Sequence, residues 1–343
     1  VRDDAEVANE GEVHGRIAED NPVVQLCFPA VIEIEVHADD AGQRVDRFLR
    51  KLLAAAPLAL IHSLLRKGAV RIDGQKLAGS DRLRPGDRLA LALDEARLAA
   101  LRGPDRRTAP RPGRAVPELE LVFEDQDLLV VDKPGGLALH GGTGVGADHL
   151  VARLEAHCGP GTGARTFRPA PAHRIDRGTS GLVAVGRSAR GLRGLTAAFR
   201  ERTAKKIYLA LVHGRPAPAS GEIEFALEIA DRGAGAPKAA AGAGGRTALS
   251  VYRTLRCAGG LCLLEVRIET GRTHQIRAHL AALGHPLVGD RRYGAPARPA
   301  LGPQRFALHS WRLGFPHPAD GRPLEFEAPW PADLAALCPL SGS

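Results

Sequence analysis

His173-Arg174-Ile175-Asp176-Arg177-Gly178-Thr179-Ser180-Gly181 sets one carboxylate between two guanidiniums, just ahead of a Thr-Ser-Gly turn and the apolar run Leu182 to Val185. Positive neighbours favour the ionised form of an acid. A turn that leads into a strand is a place where a side chain is presented to a ligand. Most Asp residues beside Arg are surface ion pairs of little energetic weight, so the segment gains meaning only from what accompanies it in the chain.

The 343 residues are enough for about two domains, each able to bury a core. A content of 44% hydrophobic and 25% charged residues suits a globular protein. No apolar run approaches the ~20 residues of a membrane span, and the acidic start has no apolar signal core. A cytoplasmic location with no membrane partner is expected. The five cysteines (Cys27, Cys158, Cys257, Cys262, Cys338) form no Cys-x-x-Cys pair. Their odd number in a long chain predicts incidental thiols and no disulfide framework. The net charge is +8, but residues 1–26 carry seven acids against two arginines, so the remainder is near +13. A basic body of this size points to a polyanionic partner.

Residues 1–26 are polar and aperiodic and read as a disordered acidic leader. In the next unit, 27–94, Val31, Ile32, Ile34 and Val36 suggest a strand. Val45, Phe48, Leu49, Leu52 and Leu53 then fall on one helical face, with Arg47, Arg50 and Lys51 on another. Leu60, Ile61, Leu64 and Leu65 mark a second helix, closed by Arg66-Lys67-Gly68. Val70 and Ile72 flank Arg71, and Asp73-Gly74 is a hairpin signal. Residues 95–117, rich in arginine and proline, read as an extended basic linker. The second domain is expected over 118–340. It has a buried strand at Leu128 to Val131, a helical stretch near 190–203, a strand from Lys206 to Val212, an Ala/Gly-rich mobile loop at 231–246, and a strand from Leu263 to Ile268. That last strand leads into a helix bearing Ile276 and Arg277.

The pair of short basic helices with a hairpin resembles the S4-type RNA-binding domain, most closely over Ser63 to Gly74. The Asp176 turn, the strand bearing Tyr208 and the helix bearing Arg277 together resemble the RluA-type pseudouridine synthases, with the RluC type the nearest match. Val130-Val131-Asp132-Lys133-Pro134-Gly135-Gly136, His140-Gly141-Gly142, Gly289-Asp290-Arg291-Arg292-Tyr293-Gly294 and Leu308-His309-Ser310 carry the same likeness. The resemblance implies an α+β protein: an S4-type domain followed by a catalytic domain with a mixed, mainly antiparallel sheet, flanking helices and a central cleft. It implies isomerisation of uridine to pseudouridine in large-subunit ribosomal RNA without metal or organic cofactor. The partner would be that RNA or its precursor, bound by a monomer.

By the same resemblance Asp176 is the catalytic carboxylate, placed near the anomeric carbon where positive charge develops. Arg277 pairs with it, its fork suited to two parallel bonds. Tyr208 stacks on the uracil and can serve the proton removed from carbon five. Ile276 lies under the base. Arg174 holds the target nucleotide out of its stack. His173 and Arg177 complete the substrate-binding set, although a structural hydrogen bond is the better reading of His173. Arg47, Arg50, Lys51, Arg66, Lys67 and Arg71 would meet phosphates. Gly178 departs from the family, which commonly carries an acid there, and a looser turn is expected.

Two other classes compete. A zinc site would use His274, His279 and His285, but residues five apart on a helix point about 140° from each other. A non-catalytic RNA-binding factor would keep the fold without turnover. Transfer RNA remains an alternative substrate for the same chemistry.

Overall fold

The computed structural model describes residues 31–103, 117–142, 145–159, 163–227 and 246–338. The acidic leader, most of the basic linker and the greater part of the Ala/Gly-rich loop lie outside the described residues.

The N-terminal unit begins with β1 (Ile32–Glu35), α1 (Val45–Leu52) and α2 (Leu58–Arg66), followed by β2 (Val70–Ile72), β3 (Gln75–Lys76) and β4 (Arg88–Leu91). The strands form an antiparallel sheet in the order β1-β4-β2-β3. The apolar stripe of α1 is buried as its spacing predicts, with Val45, Phe48, Leu49 and Leu53 all fully covered, and Arg47, Arg50 and Lys51 are exposed on the other side. Asp73 and Gly74 take φ values of 49° and 75°, the pair of positive values that a two-residue hairpin turn requires. Residues 95–102 correct the expected boundary. They form α3 (Glu95–Arg102), capped by the Asp94 side chain accepting from Arg97 N–H at 2.6 Å. Leu98 and Leu101 join the same core as Phe48, so the apolar spacing of this helix outweighs the arginines that suggested a linker.

The second domain contains β5 (Glu120–Glu124), β6 (Leu128–Lys133), α4 (Leu150–Cys158), β7 (Ala170–Pro171), β8 (Ser180–Gly186), α5 (Ala189–Arg200) and β9 (Lys205–His213). It continues through β10 (Ser220–Leu227), β11 (Arg246–Ala258), β12 (Leu261–Ile268), α6 (Gln275–Ala282), β13 (Leu308–Pro316), β14 (Pro323–Glu327) and α7 (Ala332–Ala335). Its sheet runs β10-β11-β12-β9-β13-β8-β6-β5, with β14 on β13 and β7 on β8. Among the described strands only β13 and β8 pair in parallel. The sheet is thus mixed and mainly antiparallel, as expected. Leu128 to Val131 and Leu182 to Val185 are buried on both faces, which is why they read as unbroken apolar runs. Leu129, Val131, Val183 and Val185 pack with α4 and α6, whereas Leu128, Val130, Leu182 and Ala184 pack with α5.

Two acids dock the units. Asp40 is fully buried and accepts from the backbone N–H groups of Arg165, Thr166 and Phe167 at 2.6, 3.0 and 3.0 Å, and from the Thr166 hydroxyl at 2.6 Å. Asp39 accepts from Ala189 N–H at 2.7 Å, at the start of α5, where a negative charge meets the helix dipole.

The cysteine expectation fails at one pair. Cys257 and Cys262 are disulfide-bonded, with Cα atoms 4.1 Å apart. They stand opposite each other in the β11–β12 ladder, across the Ala258-Gly259-Gly260-Leu261 turn. A count of cysteines carries no information on hairpin register, and register is what brings these two together.

The fully buried His279 and His309 and the partly buried His173 are expected to make the protein acid-sensitive. Burial lowers His173 to about 3, and His279 and His309 to about 4, from an ordinary value of 6.5. His279 has both ring nitrogens buried without a hydrogen-bond partner among the described residues. Because the folded values are depressed, the unfolded chain takes up protons first. The contribution of these histidines is complete above pH ~6.5 and is lost as the pH drops toward 4. From pH 7 to pH 5 each histidine is expected to cost on the order of 2 kcal/mol. Urea midpoints at the two pH values measure this, and identical midpoints would refute it.

Candidate active site

The site lies where the centre of the sheet meets α6. Asp176 is in the loop before β8, just ahead of its last turn, Tyr208 is on β9, and Arg277 is on α6. All three line one groove of about 490 Å³, with Arg174, Ile276 and Leu308. A second hollow of about 450 Å³, lined by His140, Gln304 and Phe306, shares Arg174, Asp176, His274 and Arg277 with it. Asp176 therefore stands between two concavities.

The Asp176 side chain is only 17% exposed, and Arg277 Nη1 donates to its Oδ2 at 3.1 Å. The other oxygen, Oδ1, has no partner among the described residues. The two-bond fork expected between Arg277 and Asp176 belongs instead to Asp290. Arg277 Nε and Nη2 donate to the two Asp290 oxygens at 2.7 and 2.8 Å, with the Asp290 side chain 2% exposed. The guanidinium is thereby fixed by one acid and offers its remaining edge to another. It also lies 4.2 Å from the centre of the Phe306 ring and 5.1 Å from that of Tyr293. Burial pulls its pKa down, but the bonds and charge of Asp290, with a further contribution from Asp176, leave it raised.

The turn itself is held by two buried basic side chains, Lys133 and Arg305. Lys133 is fully covered and donates to the carbonyls of Pro134, Leu137 and Arg177 at 2.9, 2.9 and 3.2 Å. Burial first, then the nearby Arg305 charge, lowers it to about 7 against the pull of Asp176. Arg305 donates to the carbonyls of Gly178, Phe306 and Leu308 at 2.7, 2.9 and 3.2 Å and to Ser180 Oγ at 3.0 Å. It is paired with Asp333 of α7 at 2.8 Å. The quoted Lys133-Pro134-Gly135-Gly136 stretch was the available clue to the first of these clamps.

Gly178 does not loosen the turn. A Cβ there would run into the Gln304 carbonyl oxygen and, within 2.7 Å, the Phe306 ring. Gly181, at φ 104°, similarly lets β8 approach the Ser310 backbone, where the parallel ladder forms. Gly178→Ala is expected to destabilise by about 1–3 kcal/mol through overpacking, read as a lower urea midpoint. Wild-type stability in the variant would contradict the close approach.

The remaining expected residues separate into two groups. Arg174 is exposed, lines both hollows and has no hydrogen bond or ion pair among the described residues. Ile276, 5% exposed, packs with Tyr208 and also lines the groove. Tyr208 is 6% exposed, and burial raises its pKa further above the usual tyrosine range, with the Asp176 charge adding to the effect against a hydrogen bond from Ser310. His173 proves structural at one ring nitrogen: Nε2 accepts from Ala184 N–H at 2.9 Å, and the ring stacks on Phe199 at 4.2 Å. Arg177 donates from Nε to the Gly136 carbonyl at 2.9 Å, tying the two turns together. His274, weighed in the sequence only as a ligand of a competing zinc site, lies beside Asp176, and no metal-holding group of His, Cys, Asp or Glu occurs among the described residues. It sits at φ 57° before α6, its Nε2 is 3.9 Å from Asp176 Oδ2, and its Nδ1 is 3.2 Å from the Tyr293 hydroxyl. Left-handed backbone at a residue with a side chain is uncommon and often marks a site.

The site is thus a mostly buried acid with one free oxygen, held by an arginine that a second acid anchors, in a groove that Tyr208 and Arg174 also line. Over residues 127–282 the chain matches the RNA pseudouridylate synthase family. An uncharacterized RNA pseudouridine synthase of Mycobacterium bovis is 39% identical over 86% of this chain and 92% of its own length. The ribosomal large subunit pseudouridine synthase C of Vibrio cholerae is 33% identical over 88% of this chain and 94% of its own. The solved structure of human RNA pseudouridylate synthase domain containing 4 superposes with a TM-score of 0.52 at 22% identity, covering 63% of this chain and 90% of that one, which shows the shared fold. The chain belongs to the RNA pseudouridine synthase family of RluA type and is an RNA-modifying isomerase.

Proposed function

We propose that the enzyme isomerises uridines of large-subunit ribosomal RNA, with Asp176 as the acting carboxylate. The observation that carries this reading is the unequal treatment of the two Asp176 oxygens: Oδ2 is held by Arg277, while Oδ1 is left for the substrate. The uracil lies against Tyr208 and Ile276, and the ribose is presented to Oδ1. Arg174 fills space vacated by the extruded base, whose removal costs a few kcal/mol. The Tyr208 phenol, kept protonated by its burial, stacks on the uracil with its hydroxyl beside carbon five, whose proton leaves to solvent in the groove. No cofactor is assigned.

The N-terminal unit is proposed as an S4-type RNA-binding domain. Arg47, Arg50, Lys51, Arg66 and Lys67 are exposed on its two helices and their exit. Arg71 serves the hairpin instead, donating to the Gly68 and Gly74 carbonyls at 2.9 Å each. The likeness to a synthase named for the ribosomal large subunit supports ribosomal over transfer RNA. The test is incubation of the purified monomer or assembly, as isolated, with protein-free large-subunit ribosomal RNA and with transfer RNA, followed by pseudouridine-specific labelling. Product in the ribosomal RNA is expected. Product in transfer RNA alone would move the substrate, and bound RNA without product would favour a non-catalytic factor.

A further inference from the structure

The groove that holds Asp176 continues along β9 to a group without an assigned part in the chemistry. Lys206 precedes Tyr208 by two residues, so the two share one face of the strand, about 7 Å apart. Lys206 is 7% exposed, and its side chain lines the groove. Its ammonium has no hydrogen bond or ion pair among the described residues, although its backbone pairs in the ladder with β13. The acid whose charge acts on it, Glu269, is itself paired with Arg267 at 3.1 Å. Arg272 lines the same groove, and its Nε is buried without a partner among the described residues. Arg200 and Arg202, at and just past the end of α5, stand on the rim. Arg200 is engaged with Glu201 at 2.9 Å.

An enclosed ammonium whose one nearby acid is shared with another cation costs free energy, and burial lowers the Lys206 pKa despite the Glu269 charge. The cost is removed when a ligand brings a negative charge to the groove. An RNA strand carries one such charge for each nucleotide, at the spacing of its backbone. A uracil seated on Tyr208 sets the adjoining backbone alongside the Lys206 end of the face.

We propose that Lys206, backed by Arg272, binds a backbone phosphate of the RNA next to the target uridine and so fixes the register of the strand in the groove. The inference rests on the reading of Asp176 and Tyr208 as the uridine site.

The experiment uses the full chain and fluorescently labelled octauridylate, with affinity followed by anisotropy across a range of salt. Lys206→Met is expected to weaken binding about fivefold to tenfold and to make the plot of log affinity against log salt shallower by about 0.7, the share of one phosphate on a single strand. Lys206→Arg retains most of the affinity. Removal of a buried charge that Glu269 compensates only in part leaves the thermal midpoint of Lys206→Met equal to or above that of the wild type. Arg272→Gln provides a second variant with the same direction of change in slope. Unchanged affinity and slope would overturn the proposal. A loss of affinity with unchanged slope would overturn it in favour of a neutral base oxygen. A loss matched by a lower thermal midpoint would make Lys206 a structural residue. Product formation by Asp176→Asn tests the uridine site separately, since the salt slope does not depend on turnover.

Discussion

Asp176→Asn is expected to lower pseudouridine formation by at least about a thousandfold, about 4 kcal/mol of barrier, with RNA affinity held within about threefold. The amide has the shape of the carboxylate and can still accept from Arg277 Nη1 through its oxygen. Arg277 does not depend on Asp176 for its position, because Asp290 holds two of its nitrogens. The variant therefore removes a charge and little else. Single-turnover labelling of the product, with filter binding of the same RNA, separates the two quantities. Turnover within about tenfold of wild type would take Asp176 out of the chemistry. A parallel collapse of affinity would make it a binding residue.

The largest loss of stability is expected from Asp290→Ala. This acid is 2% exposed and makes the two-bond contact with a guanidinium whose own side chain is 8% exposed. Its removal leaves a buried positive charge with only the single bond to Asp176. Breaking such a pair from one side costs about 3–5 kcal/mol. The fraction that remains folded should also turn over at least about a hundredfold more slowly, since Arg277 Nη1 is no longer aimed at Asp176 Oδ2. Urea denaturation measures the first effect, and turnover at low temperature measures the second. A midpoint change equivalent to less than about 1 kcal/mol would mean that the pair is solvated and carries little of the site.

Local chemistry made part of this structure legible. The stripe from Val45 to Leu53 specified the α1 face, and Asp73-Gly74 specified a hairpin because only residues tolerant of positive φ suit that turn. The doubly buried runs at Leu128 and Leu182 marked central strands. The co-location of Asp176, Tyr208 and Arg277 followed from family resemblance, not from spacing, since Asp176 and Arg277 are 101 residues apart. What escaped was long-range partnership. Nothing in the pattern of Asp39 and Asp40 distinguishes them from surface acids, yet Asp40 is fully buried against residues more than a hundred positions away. Lys133 lay inside a quoted motif and Arg305 outside every one, and both donate to backbone carbonyls from distant parts of the chain. Asp290 lay inside a quoted motif, but its function as the anchor of Arg277 is visible only in three dimensions. The Cys257–Cys262 bond depends on strand register, which composition does not encode.

The most direct test is a pseudouridine map of large-subunit ribosomal RNA from cells that lack this protein, complemented with either the wild type or Asp176→Asn. One or more uridines should remain unmodified in the deletion, regain pseudouridine with the wild type, and stay uridine with the variant. Full modification in the Asp176→Asn cells would contradict the assignment of that carboxylate to the chemistry.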